Sequence, residues 1–268
     1  MVKIEQKASN NRATTPEERR RRIAQIVRDT GNVTVATLET EFGISAATAR
    51  RDLDILERVG QARRTHGGAV FPGSAGHEDS FEQRLTEAVE AKHRLAEAVA
   101  EFVEPDSTMF IDSSTTAYYA VQYILTGTQQ ATFLTNLLPA MELLKTLEVS
   151  GASFIGIGGS FKELTKSFVG PHAVQMVRAH FTDIALLSVK GMTREGEMTD
   201  PDPSEAEVKK AMIERSENPI LLIDGRKFGR RGLSLIGSVS DISLVLAADC
   251  AEADLEALER QGVEVRRV

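Results

Sequence analysis

Phe110-Ile111-Asp112-Ser113-Ser114-Thr115-Thr116 is an apolar run that ends in a turn of small hydroxyl residues. Upstream, Ser107-Thr108-Met109-Phe110-Ile111 has the composition of a strand, and downstream Ala117 to Leu125 reads as a helix. A strand, a hydroxyl-rich turn and a helix start place free backbone N–H groups at the positive end of a helix dipole, which suits an anion such as a sugar phosphate. The same residues allow a plainer reading, in which Ser113 or Ser114 is only a helix N-cap. The remainder of the sequence decides between the two.

From Ser107 onward, strand and helix signals alternate. Strands are expected at Thr108–Ile111, Ala131–Thr135, Ser153–Ile157, Asp183–Val189, Pro219–Ile223 and Ile242–Ala247. Helices are expected at Thr115–Leu125, Leu138–Leu147, His172–Arg178, Glu205–Arg215 and Ala253–Arg260. Alternation on this scale predicts an α/β domain with a mainly parallel sheet, whose ligands bind beyond the carboxyl ends of the strands. Five strand ends in turn carry polar groups: Asp112 to Thr116, then Thr135 and Asn136, then Gly158 and Gly159, then Lys190, then Asp224, Arg226 and Lys227. Such convergence is expected of a small polar, anionic ligand. Glu205 and Lys209 join the candidates, although their i, i+4 spacing equally fits a helix salt bridge. Ser204-Glu205-Ala206-Glu207 reads as a capping box, which assigns Glu207 a structural role.

The 268 residues are enough for two unequal domains. Hydrophobic content of 41% and charged content of 26% are ordinary for a globular chain. No apolar run approaches the length of a membrane span and the N-terminus has no signal-peptide core, so a cytoplasmic protein is expected. The single cysteine, Cys250, fits a small core residue in a reducing compartment. Net charge is −7, but residues 1–72 hold 13 Lys and Arg against 9 Asp and Glu, leaving 19 against 30 for the rest. A basic head on an acidic body predicts that the head alone meets a polyanion.

Within the head, residues 1–14 are polar and aperiodic, the composition of a disordered tail. Thr15-Pro16-Glu17-Glu18 is a strong helix start, with Thr15 as N-cap and Glu18 closing a capping box. The arginines from Arg19 to Arg22 read as a solvated face. A short helix over about Val35 to Glu41, a turn at Gly43 and a third helix over about Ala46 to Arg58 follow, and Ala49, Leu53 and Leu56 face inward at helical spacing. Ser45, Thr48, Arg50 and Arg51 are thereby left at the outward, N-terminal end of the third helix. This is the pattern of a helix-turn-helix that reads the major groove, where arginine suits guanine edges or phosphates. Gln61 to Val70 reads as a β-hairpin wing whose Arg63 and Arg64 would meet backbone or minor groove. His66 belongs to the same limb, and a hydrogen bond inside the hairpin is preferred there to a base contact.

Thr48-Ala49-Arg50-Arg51-Asp52-Leu53 followed by Arg64-Thr65-His66-Gly67-Gly68-Ala69-Val70 resembles the DeoR family of bacterial transcription regulators. The likeness continues through Asp112-Ser113-Ser114-Thr115-Thr116, Thr135-Asn136, Gly158-Gly159, Ser167 to Pro171, Glu205 to Lys209 and Lys227-Phe228-Gly229. It departs at Ala49, where isoleucine is usual, at Ser114, where glycine is common, and at Lys190, which adds a cation. The resemblance implies a winged helix-turn-helix over residues 15–71, a linker over 72–80 and a sensor domain over 81–268 similar to ribose-5-phosphate isomerase and CoA-transferase folds. It implies a phosphate held by Ser113, Ser114, Thr115 and Thr116, with sugar contacts from Asp112, Asn136, Glu205 and Lys227. The expected partners are double-stranded operator DNA, a phosphorylated sugar and further copies of the chain, as a dimer or tetramer, with no membrane. The competing reading is an isomerase-like enzyme with an appended DNA-binding module, in which Asp112, Glu205 and Lys227 supply acid–base groups. The head argues against it, and no catalytic residues are assigned. Neither a dinucleotide fingerprint nor a phosphate-binding loop motif occurs, and the five histidines with Cys250 offer no metal spacing, so neither cofactor nor metal is expected.

Overall fold

Contacts divide the chain between Ser74 and Ala75 into two units, each described here by itself. The computed structural model describes residues 15–30, 32–59, 61–65, 67–70, 79–127, 131–146 and 151–268. The expected tail over 1–14, most of the expected linker over 72–80 and His66 lie outside them.

The first unit contains α1 (Pro16–Thr30), β1 (Asn32–Thr34), α2 (Val35–Phe42), α3 (Ala46–Arg58), β2 (Arg63–Thr65) and β3 (Gly68–Val70). The amide of Glu18 donates to Thr15 Oγ1 at 3.3 Å while the Thr15 amide donates to Glu18 Oε2 at 3.1 Å, a closed capping box. Thr34 and Ser45 cap α2 and α3, and Gly43 ends α2 at φ 63°, a conformation glycine adopts without steric cost. Ile23, Val27, Leu38, Ala49, Leu53 and Leu56 form the core. The wing is real, and it has a third strand: β3 pairs antiparallel with both β2 and β1. The arginine run of α1 is less solvated than its sequence implies. Asp52, 2% exposed, accepts from Arg19 Nε at 2.6 Å and Arg20 Nη1 at 3.5 Å, which ties α1 to α3.

The second unit begins with α4 (Phe81–Leu85) and α5 (Val89–Ala100). The two are separated by a break at Ala88, which sits in the left-handed region at φ 46°. A seven-stranded sheet follows, built of β4 (Ser107–Ile111), β5 (Ala131–Thr135), β6 (Ala152–Gly156), β9 (Thr182–Leu187), β12 (Ser216–Asp224), β14 (Leu244–Ala248) and β15 (Glu264–Arg267). Its order is β15-β14-β12-β9-β4-β5-β6, and every pairing is parallel. The helices are α6 (Thr115–Thr126), α7 (Leu138–Thr146), α8 (Pro171–Arg178), α9 (Pro203–Glu214) and α10 (Glu252–Glu259). Alternate strand residues supply two cores. Met109, Ile111, Leu186 and Leu222 pack with α5 and α6, whereas Phe110, Leu187, Leu221 and Val245 pack with α8, α9 and α10. The expected capping box at Ser204–Glu207 is not what starts α9: Asp202 is the N-cap, with Pro203 at the first helical position.

Two additions were not legible in the sequence. A hairpin of β7 (Ser160–Lys162) and β8 (Ser167–Val169) follows β6, and β10 (Gly191–Met192), β11 (Glu197–Asp200) and β13 (Ser234–Ser238) form a small antiparallel sheet. Among the described residues no helix is long and apolar enough to cross a membrane.

The order of the main sheet fixes where a ligand can go. From β4 the chain moves outward through β5 and β6, then returns to the other side of β4 with β9 and continues through β12, β14 and β15. The crevice at such a reversal, beyond the carboxyl ends of β4 and β9, is where open α/β sheets bind ligands. Asp112 and Ser188 sit there.

In the first unit, the wing depends on a close backbone approach. A side chain at Gly68 would strike the Val33 carbonyl oxygen at 1.9 Å. Gly68→Ala is therefore expected to destabilise the β1–β3 pairing by about 1–3 kcal/mol. Hydrogen exchange should show faster amide exchange in β1 and β3 with α5 and α6 unchanged; unchanged exchange in β1 and β3 would contradict the register.

Candidate functional site

At the end of β4, Asp112 is fully buried and its carboxylate is filled from within the protein. Oδ1 accepts from the Ser114 amide at 2.9 Å, and Oδ2 from the Ser188 amide at 3.0 Å and from Lys209 Nζ at 2.5 Å. Lys209 also donates to the Ser188 carbonyl at 2.8 Å. Burial alone would lower the Lys209 pKa, but Asp112, with Asp200 and Glu205 behind it, holds it above the usual lysine value. Asp112 therefore clasps β4, β9 and α9 together.

Glu205, 2% exposed, is committed in the same way. It accepts from Ser113 Oγ at 2.6 Å and from Ser167 Oγ at 2.6 Å, and Ser167 in turn lies 2.7 Å from Thr165 Oγ1. Glu205 and Lys209 thus use their helical spacing to reach two different partners on the β4 turn; among the described residues they form no salt bridge with each other. Ser114 is the N-cap of α6, its hydroxyl accepting from the Ala117 amide at 3.0 Å. The first-turn amides of α6 have no intrahelical acceptor and face the crevice end of the sheet.

In front of this scaffold lies a small cleft. Ser114, Thr115 and Thr116 form one wall, and Ser188, Asp200 and Pro201 another. Six cations line it, namely Arg84, Lys92, Lys190, Lys209, Arg226 and Lys227, against the carboxylates of Glu87 and Asp200. Asp224 holds Arg226 through Nε at 2.8 Å and Nη2 at 3.2 Å. Burial opposes the charged form of Asp224, but Arg226 and Lys227 more than offset it, and the carboxyl stays below its ordinary range. Lys227 is in the opposite position. Burial, together with the neighbouring charges of Lys190, Arg226 and Arg84, pulls its pKa down to about 7, and Asp224 offsets only part of this. Burial and the positive charge of Arg226 likewise bring Lys92 down to about 8.

Among the residues expected at the site, the structure brings Ser114, Thr115, Thr116, Lys190, Lys209 and Lys227 to the cleft. Asp112, Ser113 and Glu205 stand behind it as supports. Thr135, Asn136, Gly158 and Gly159 lie apart. Thr135 accepts from the Leu137 amide at 3.1 Å, and Asn136 Nδ2 donates to the Phe168 carbonyl at 2.9 Å, because the β7–β8 hairpin folds over the ends of β5 and β6. Gly158 is exposed, and Gly159 allows backbone contact: a side chain there would meet the Val169 carbonyl at 2.6 Å. Arg84, Glu87, Lys92 and Asp200 were missing from the expected set, whereas Arg226 was among the polar strand ends. For Lys92 a signal was available, since it occupies the apolar stripe of α5 with Leu95, Ala96 and Val99 at i, i+3, i+4 and i+7.

In the first unit, Arg50 and Arg51 are exposed on the first turns of α3, beside Ala47, Asp54, Ile55 and Arg58. The Ser45 hydroxyl is occupied as the cap, accepting from the Thr48 amide at 3.3 Å and lying 3.0 Å from Thr48 Oγ1. Arg64 is bound within the fold: its guanidinium pairs with Asp54 at 3.1 Å and donates to the Gly68 carbonyl at 3.2 Å. Arg63 lies on β2. Among the described residues no cluster of histidine, cysteine and carboxylate side chains could hold a metal ion.

The buried pair makes a clear demand on stability. Lys209→Met leaves Asp112 without its counter-charge and is expected to cost about 3–5 kcal/mol in chemical denaturation, part of which Asp112→Asn in the same chain should recover. A single-variant loss below about 1 kcal/mol would show that the pair is not the clasp described here.

Residues 19–75 match the DeoR-like helix-turn-helix domain, and residues 87–248 match the DeoR C terminal sensor domain. Relatives include the uncharacterized HTH-type transcriptional regulator YulB of Bacillus subtilis, 33% identical over 94% of this chain and 96% of that protein. The HTH-type transcriptional regulator GlpR of Haloferax volcanii is 31% identical over 93% and 97%, and the glycerol-3-phosphate regulon repressor of Haemophilus influenzae is 30% identical over 92% and 95%. Among solved structures, ribose 5 phosphate isomerase A of Neisseria gonorrhoeae aligns at 14% identity with a TM-score of 0.39, over 53% of this chain and 54% of that one. With both domains matched and full-length relatives named as regulators rather than enzymes, the chain belongs to the DeoR family of DNA-binding transcriptional regulators.

Proposed function

We propose that the protein is a repressor of a sugar-metabolism operon, controlled by a phosphorylated sugar or a related phosphate ester bound in the second unit. The observation that carries this reading is the cleft itself, where a helix N-terminus and a surplus of cations meet at the reversal point of a parallel sheet. The relative named as a glycerol-3-phosphate regulon repressor agrees with it. The phosphate is received by the Ser114–Thr116 turn, Lys190 and Lys227, while Asp112, Ser113, Glu205 and Lys209 keep the turn in place. Asp112 and Glu205 spend their oxygens on internal donors, which removes them as proton acceptors for an isomerase-like reaction.

DNA is read by α3, with Arg50 and Arg51 on base edges or phosphates and Thr48 beside them. A single small winged helix makes few contacts, so two or more copies grip repeated half-sites, as a dimer or tetramer in the cytoplasm. The phosphate ester changes operator affinity by binding one arrangement of the subunits better than another, and its effect is bounded by that difference.

Arg51→Ala is expected to weaken operator binding and to reduce the slope of log affinity against log salt by about 1 if its contact is to phosphate, with ligand affinity unchanged. Gel shifts identical to those of the unaltered protein would remove Arg51 from the interface.

Lys227 adds a pH dependence. Its folded value of about 7 lies below the ordinary 10.5, so the empty cleft carries a stability penalty that is full below about pH 7 and fades only as pH rises from there toward 10.5. A bound anion favours the charged form. At pH 8, where a phosphate monoester is already dianionic, binding should take up protons, and affinity should decline toward pH 9. Calorimetry in buffers of different ionisation enthalpy measures the uptake. Lys227→Ala should abolish both the uptake and the effector response while leaving DNA binding intact; a retained response would place the ligand elsewhere.

A further inference from the structure

Among the described residues, one cation of the cleft has buried donor atoms left without a partner. Arg84 on α4 has Nε and Nη2 buried without a hydrogen-bond partner. By contrast, Lys209 pairs with Asp112 and Arg226 with Asp224. A guanidinium presents its donors in a rigid plane that matches an oxyanion two bonds at a time, and leaving such donors buried and empty is costly. The position of Arg84 is also well defined. Its carbonyl accepts from Lys92 Nζ and, at 3.4 Å, from Thr115 Oγ1 on the first turn of α6.

The same segment supplies its own carboxylates. Asp79, just before α4, binds Lys190 Nζ at 2.6 Å, and Glu87, just after it, reaches Arg226 Nη1 at 3.4 Å. Residues 79–87 therefore offer the cleft one cation with empty donors, and cover two further cations that an incoming anion also needs.

We propose that Arg84 is an anion ligand of the cleft, and that Asp79 and Glu87 are internal competitors which the bound anion displaces. Occupancy is thereby registered by the α4 segment. This rests on reading the cleft as a phosphate-ester site, and deepens it by naming the element that responds. α4 is the first helix of the second unit, directly after residues 71–78 in sequence, so the responding element is the one nearest in sequence to the DNA-reading unit. In charge terms, one dianionic phosphate group matches Arg84 together with protonated Lys227.

The test uses the full-length chain with inorganic phosphate as the probe, reading thermal midpoint against phosphate concentration and hydrogen exchange of residues 79–88. Phosphate is expected to raise the midpoint of the unaltered protein and to change exchange in that segment. Arg84→Gln should weaken apparent phosphate affinity by roughly tenfold or more, and Arg84→Lys, which keeps the charge and loses the fork, should weaken it less. Asp79→Asn combined with Glu87→Gln should strengthen it, since Lys190 and Arg226 then lose their competitors. If the unaltered protein responds and Arg84→Gln responds equally, the proposal fails while the cleft reading stands. It also fails if the Asp79–Glu87 double variant binds phosphate more weakly. No response from the unaltered protein overturns the cleft reading and this proposal together.

Discussion

A buried ion pair at the end of β4 sets the geometry of the second unit. Asp112 and Lys209 are both removed from solvent, which is costly for each alone and tolerable only because the two meet and their remaining valences are filled. Lys209 has the Ser188 carbonyl, and Asp112 has the Ser114 and Ser188 amides. Three elements that are distant in sequence are locked by these four residues. With Glu205 bonded to Ser113 and Ser167, α9 is fixed against the β4 turn at two points one helical turn apart. The hydroxyl-rich turn and the start of α6 are held rigid by this arrangement, the condition for a helix terminus to bind an anion well.

The remaining charges follow a different rule. Behind the turn, Lys209 is matched by Asp112; in front of it, cations outnumber carboxylates even though Lys190 and Arg226 are paired. Lys227 shows the consequence, a lysine whose pKa is drawn down to about 7 by burial and by its own neighbours. Clusters of this kind are poor contributors to stability and occur where a ligand completes them. In the first unit the division is similar. Arg19, Arg20 and Arg64 are consumed by Asp52, Asp54 and the wing, whereas Arg50 and Arg51 remain exposed on the first turns of α3. The basic surplus of the head is thus smaller in effect than its composition.

Local chemistry was the most legible part of the fold. The Thr15–Glu18 box, the Gly43 turn, the inward face of α3 and the alternation of strand and helix all follow from short-range rules, and each is found in place. What could not be read was the order of the strands. Five polar strand ends look equivalent in sequence, but only those of β4, β9 and β12 reach the cleft; β5 and β6 lie to one side, under a hairpin whose strands are three residues long. Thr135, Asn136, Gly158 and Gly159 lie apart from the cleft for that reason. Arg84 was missed for the opposite one: it stands on a five-residue helix outside the sheet, and only tertiary packing brings it to the cleft. Helical spacing placed Glu205 and Lys209 on one face and left their partners open, since those come from β4 and β9.

The central claim is that the second unit recognises a phosphate group and that its occupancy alters DNA binding. Titration calorimetry of the full-length protein against a panel of sugar phosphates, each paired with its dephosphorylated sugar, followed by operator gel shifts with any ligand found, addresses it most directly. The account predicts that at least one phosphorylated compound binds, that its dephosphorylated partner binds at least about a hundredfold more weakly, and that the phosphorylated form alone shifts operator affinity. Equal binding of a sugar and its phosphate, or binding with no change in operator affinity, would contradict it.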